Sequence, residues 1–116
     1  MRTALLALTS LVIVACSSST DNNPPPNSDV SIVSSAGPGA FSPNPFAISL
    51  ASKTSVQWGN GTGVPHNLLA DGGAPEFSSG NISSGGTFSH TFAAPGSYPY
   101  HCTIHPSMVG TITVNP

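Results

Sequence analysis

Three residues near the C-terminal end combine type and spacing in a way that suggests chemistry. In YPYHCTIHPSMVG (98–110), Cys102, His105 and Met108 recur at every third position. A helix would put the first two on one face, but Met108 would drift off it and Pro106 disrupts a helix interior. A strand would send Cys102 and His105 to opposite faces. A tight loop curling around a point brings thiol, imidazole and thioether together, and a metal ion is what such a point would hold. Thiolate with imidazole suits copper or zinc, and the soft thioether shifts the choice to copper. A blue electron-transfer copper takes two histidines and one cysteine in a trigonal plane, with a long axial methionine. One histidine is then missing, and it should come from another strand so that the fold fixes the geometry. His66 in VPHNLLA is the candidate: it opens an expected strand, and Pro65 stiffens the approach to it. Asn67 beside it is placed to brace the Cys102 loop by hydrogen bonding to its backbone.

The two remaining histidines read differently. His90 shares a strand face with Phe88 and Phe92, which makes it a core-edge residue with a hydrogen-bond partner. His101 must point to the opposite side of its strand from Cys102. In copper nitrite reductases the histidine beside the cysteine ligates a second copper, but that site needs further histidines and only His90 remains here. No His-x-His pair exists to build a trinuclear cluster. Asn60-Gly-Thr62 and Asn81-Ile-Ser83 fit the glycosylation sequon and are read as ordinary turn sequences.

The elements that must position these residues are short and separated by Gly, Pro and Asn. Candidate strands are Val30–Val33, Pro45–Leu50, Ser55–Trp58, His66–Ala70, Thr87–Phe92, Ser97–Cys102 and Gly110–Val114. GTFSHTF alternates cleanly, and Pro95-Gly96 marks the turn into the next strand. No amphipathic helix and no internal repeat is visible. The expected fold is all-β, an antiparallel sandwich or barrel of about seven or eight strands.

Composition narrows the rest. The chain has 116 residues, enough for one domain, and only six of them are Asp, Glu, Lys or Arg. The N-terminus MRTALLALTSLVIVAC has one basic residue before an apolar run, Ala4–Ala15, that is too short to span a bilayer. This is a secretory signal pattern, and Ile13-Val14-Ala15-Cys16 resembles a bacterial lipobox. Residues 1–15 are therefore expected to be removed and Cys16 lipidated, with ordinary cleavage leaving a free thiol as the alternative. Residues 16–29 then form a disordered Ser/Asn/Pro tether, and the folded domain runs from 30 to 116. Beyond the leader, Lys53 stands against Asp21, Asp29, Asp71 and Glu76, one cation against four anions, a net of −3. That is too little positive charge to grip nucleic acid. With Cys16 acylated, Cys102 is a lone thiol in an oxidising compartment, and metal ligation would protect it.

WGNGTGVPHNL (58–68) and YPYHCTIHPSMVGTITV (98–114) together resemble the cupredoxin family, the plastocyanin-like small blue copper proteins, with the short Cys-x-x-His-x-x-Met loop of the amicyanin type. The resemblance covers most of residues 30–116 and is strongest from Thr87 onward. It departs in Ile104, where amicyanin-type loops carry proline, and in the glycine-rich approach Gly59–Gly63. It implies a Greek-key β-sandwich holding one type 1 copper by His66, Cys102, His105 and Met108. It also implies a His105 ring edge at the surface, with Pro65, Pro106 and Met108 forming an apolar patch for a redox partner. In the reduced state, His105 is expected to protonate and leave the metal as pH falls. The expected function is a membrane-tethered electron carrier in the bacterial cell envelope, at the periplasm or cell surface, monomeric and not an enzyme. Copper storage, resistance or delivery is the alternative; a nitrite reductase using His101 and a metal-free interaction module are weaker ones.

Overall fold

A computed structural model describes residues 24–116. The leader and Cys16 lie outside the described residues. The described residues form eight strands: β1 (Val30–Ile32), β2 (Phe41–Ser42), β3 (Phe46–Ser49), β4 (Ser55–Asn60), β5 (Leu69–Ala70), β6 (Thr87–Thr91), β7 (Gly96–His101) and β8 (Val109–Asn115). One 3₁₀ turn, Pro38–Ala40, leads into β2. The strands make two four-stranded sheets, in the orders β2-β1-β4-β6 and β3-β8-β7-β5. The sandwich expected from sequence is therefore present, with both sheets mixed rather than purely antiparallel. β1 runs parallel to β4 and β3 runs parallel to β8, while the other pairings are antiparallel. The cause is the path between β1 and β4: the chain crosses to the second sheet through β3 before it returns beside β1, so β4 need not reverse.

Alternation in the strands makes the core. β6 shows its threonines and Ser89 to solvent and turns Phe88 and His90 partly inward. β8 buries Gly110, Ile112 and Val114. Between the sheets, Trp58 of β4 and Tyr100 of β7 are almost wholly buried, each with a single polar group to satisfy. They satisfy each other, Trp58 Nε1 donating to Tyr100 Oη at 3.1 Å, with the rings edge-on at 5.7 Å. Burial pushes the Tyr100 phenol up to about 12, partly opposed by the Trp58 hydrogen bond. Tyr100 also covers its register partner Gly110, where a Cβ would meet the phenol ring at 2.5 Å.

Most strand ends differ from the sequence expectation by one or two residues, and two boundary differences are larger. The expected strand His66–Ala70 shrinks to Leu69–Ala70, because His66 makes only one isolated bridge, to Ile82, and Asn67 turns its side chain to the Cys102 loop. At the other end, residues 24–29, read as the last part of the tether, lie against β4. Asp29 N donates to Gln57 O at 2.8 Å, and Asp29 Oδ2 accepts from Gln57 N at 2.9 Å. Ser28 comes so close to Gly59 that a Cβ there would overlap its hydroxyl. The glycine in β4 is thus a site of close chain approach, which short-range pattern does not reveal.

Candidate metal centre

β7 ends at His101 and β8 begins at Val109, and these two residues pair across the hairpin. The loop between them is closed by its own backbone. Cys102 N donates to Met108 O at 3.1 Å, and Met108 N donates to His105 O at 2.9 Å. The three-residue spacing becomes a curl, as neither a helix nor a strand could accommodate it. Ser107 at the exposed tip accepts from Gly37 N at 3.2 Å, tying the loop to the segment before β2.

His66 reaches the same point from the long connection between β4 and β5. Its N donates to Ile82 O at 3.1 Å and its O accepts from Ile82 N at 2.6 Å. Its Nδ1 lies 3.9 Å from Cys102 Sγ, and His105 Nδ1 lies 3.8 Å from that same sulfur. The two imidazole centroids are 5.0 Å apart, and the ligand atoms of all three residues fall within 4.8 Å of one another. A metal about 2.1 Å from nitrogen and about 2.3 Å from sulfur, in a trigonal plane, separates those donors by roughly 3.8 Å. The spacing of these side chains therefore fits a three-coordinate N₂S plane. Met108 is fully buried at the closing end of the loop, its backbone bonded to Cys102 and His105.

His66 and Cys102 have no exposed surface, whereas His105 is half-buried. Burial, and then repulsion from His105, lowers the pKa of His66 below its ordinary 6.5. At neutral pH its imidazole is uncharged, so a ring lone pair is available to a metal without expelling a proton. Asn67 N donates to Cys102 Sγ at 3.5 Å, its Oδ1 accepts from Thr103 N at 2.7 Å, and its Nδ2 donates to Thr103 Oγ1 at 2.7 Å. The side chain thus bridges the His66 segment to the Cys102 loop.

The other expectations resolve individually. His90 packs against Phe77 and Phe92 and bonds Glu76 Oε1 through Nε2 at 3.1 Å, a core-edge histidine with a partner. His101 points away from the cluster and bonds Asp71 through Nδ1. Pro65 and Pro106 are exposed, but Met108 is fully buried with the core, so it does not belong to the surface patch. Val64 and Ile104, 43% and 45% exposed, supply apolar surface there instead. Asn60-Gly-Thr62 is not an ordinary turn: Asn60 ends β4 with no exposed surface, and Thr62 is nearly buried. Thr62 Oγ1 lies 2.8 Å from His66 Nε2, a contact that sequence spacing did not expose.

Residues 29–115 match the family model described as copper binding proteins, plastocyanin/azurin family. The chain is 33% identical over 102 residues to the plastocyanin of Mercurialis perennis, covering 75% of this chain and 99% of that one. It is 33% identical over 70 residues to amicyanin-alpha of Methylorubrum extorquens, covering 58% and 59% respectively. It spans 62% of the length of the chloroplastic plastocyanin of Hordeum vulgare. Among solved structures, a purple cupredoxin from Nitrosopumilus maritimus superposes with a TM-score of 0.66 at 32% identity, over 77% of this chain and all of that one. A copper-containing nitrite reductase from Thermus scotoductus matches at 28% identity and a TM-score of 0.61, over 75% of this chain and 22% of that one. The chain belongs to the plastocyanin/azurin family of copper-binding proteins, the cupredoxins, and takes one type 1 copper.

Proposed function

We propose that this protein carries single electrons between redox partners, with copper held by His66 Nδ1, Cys102 Sγ, His105 Nδ1 and, axially, Met108. The observation that supports this most is the arrangement of three ligand atoms within 4.8 Å, two of them on residues with no exposed surface. Copper supplies the one-electron couple. The fold holds the donors of His66, Cys102 and His105 at a spacing that suits a trigonal site, which would limit rearrangement between oxidation states. Buried Cys102 and His66 keep water from the cluster, and Met108 completes a set with no free position for substrate. That favours electron transfer over bond-making chemistry.

The half-buried edge of His105 is the way in, and Val64, Pro65, Ile104 and Pro106 offer apolar surface on the segments that carry the ligands. A redox partner would dock there through a small, transient contact, with little dependence on salt because charges are few. The signal pattern and Cys16 support export and lipid anchoring to a membrane of the bacterial cell envelope, with the packed domain held outside the cytoplasm.

The discriminating experiment is cyclic voltammetry of the copper-loaded chain, alongside competition with a strong Cu(I) chelator. A reversible one-electron wave with slow copper loss is expected of an electron carrier. Rapid copper release would instead favour storage or delivery. Nitrite turnover with a second bound copper would favour an enzyme, although the His101 imidazole is already engaged by Asp71.

A further inference from the structure

Among the described residues, the buried polar side chains are Asn60, Thr62 and His66, and they form one connected network. Polar groups withdrawn from water must be fully paired or they destabilise the fold, so three of them in contact constitute a constructed feature. The pairing also has only one sense. Asn60 Nδ2 donates to Val64 O at 2.8 Å and to Ile82 O at 2.9 Å, and carbonyls can only accept. This fixes the Asn60 amide with Oδ1 as its acceptor end. Asn60 Oδ1 accepts from Thr62 N at 2.9 Å and lies 2.8 Å from Thr62 Oγ1.

The Thr62 hydroxyl has one hydrogen to place. It is surrounded by two acceptors, Asn60 Oδ1 at 2.8 Å and Val64 O at 3.0 Å, and by His66 Nε2 at 2.8 Å. Turning the hydrogen toward His66 would set the hydroxyl lone pairs against two other oxygens. Turning it toward Asn60 or Val64 leaves a lone pair aimed at His66 Nε2, which must then carry the ring proton. A neutral imidazole has only one, so Nδ1, the nitrogen 3.9 Å from Cys102 Sγ, is bare.

We infer that Thr62, oriented by Asn60, is a positioning residue that holds His66 in its Nε2–H tautomer and presents Nδ1 for metal binding. The inference rests on His66 being a ligand of the proposed site. It also gives Asn60-Gly-Thr62 a role that glycosylation cannot have: both Asn60 amide hydrogens are already committed inside the fold.

The test uses the full chain, metal-free and with Cu(I), in long-range ¹H–¹⁵N correlation spectra of the histidine rings, with Cu(I) affinity measured by chelator competition. In the wild type, His66 is expected to show a single Nε2–H tautomer in both states. Thr62→Val, which keeps the shape and removes the hydroxyl, is expected to give mixed tautomers in the metal-free chain and affinity weaker by about 10- to 100-fold. Thr62→Ser is expected to restore both readouts. A wild-type metal-free chain protonated at His66 Nδ1 would overturn the inference by itself, whether or not the valine variant folds. So would a valine variant with unchanged tautomer and affinity, or a serine variant as impaired as the valine one, since the methyl group would then be what matters. A wild-type chain that binds copper without using His66 is a different failure: it removes the proposed ligand set and not merely Thr62's role.

Discussion

The two sides of the metal centre are built in opposite ways. His66 is fully buried, bridged to Ile82 through its backbone and hydrogen-bonded at Nε2 to a buried hydroxyl. His105 is half-buried on a loop held by two backbone hydrogen bonds, by Ser107 to Gly37 and by Thr103 to Asn67. One side is buried, and the other is a short hairpin connection that reaches the surface. Under the proposed function the difference separates two tasks: the buried side would set where the metal sits, and the exposed side would be where an electron enters or leaves.

The largest effects should come from removing each histidine in turn. His105→Gly should bleach the blue band, and added imidazole should restore it, because the cavity left by a half-exposed ring opens to solvent. His66→Gly should bleach it too, without rescue, because the ring it removes has no exposed surface. Visible absorption titrated with imidazole reads both, and equal rescue of the two variants would erase the distinction between the sides.

Stability should follow the same division. Asn60→Ala removes the buried amide's bonds to Val64 O, Ile82 O, Thr62 N and Thr62 Oγ1, and should lower unfolding free energy in denaturant by about 2–4 kcal/mol. Ser107→Ala on the loop loses one exposed bond and should stay within about 0.5 kcal/mol of wild type.

Tyr100 offers a pH test of the buried framework. Its folded pKa is raised from 10.0 to about 12. The folded state holds the proton more tightly, so this stability is intact below pH 10 and lost as pH rises from 10 toward 12. The loss should reach about 3 kcal/mol in alkaline denaturation, and Tyr100→Phe should remove that pH dependence.

His66 gives a smaller effect of opposite sense in the metal-free chain. Its folded pKa lies below 6.5, so the unfolded chain takes up the proton first. Stability is complete above pH 6.5 and falls as the solution is acidified through that value. Thermal melts of metal-free protein across pH 5 to 8 should show this decline, and His66→Gln should flatten it.

The asymmetry also explains what the sequence could reveal. Cys102, His105 and Met108 were legible because one loop carries all three, and their spacing excludes regular structure. His66 was legible by chemical need, since a site with those donors lacks one histidine. The Asn60–Thr62 network was not, because its partners Val64 and Ile82 come together only on folding, and the same residues spell a glycosylation sequon. Most strands were readable from alternation, which in β6 survives intact as Thr87 to Thr91. Two-residue β2 was not, because Phe41–Ser42 is too short for a period and exists only through its pairing with β1. The packing of residues 24–29 on β4 was hidden for the same reason: composition suggests a tether, while Gly59 provides the space that Ser28 occupies. The burial of Met108 likewise depends on how the loop closes, which spacing alone does not set.

The most direct test of the central claim is the visible absorption spectrum of the full chain loaded with Cu(II), compared with Cys102→Ser. The proposed ligand set predicts an intense thiolate-to-copper charge-transfer band in the wild type and its complete loss in the variant. A pale wild-type solution with only weak d–d bands, or a variant that keeps the intense band, would contradict it.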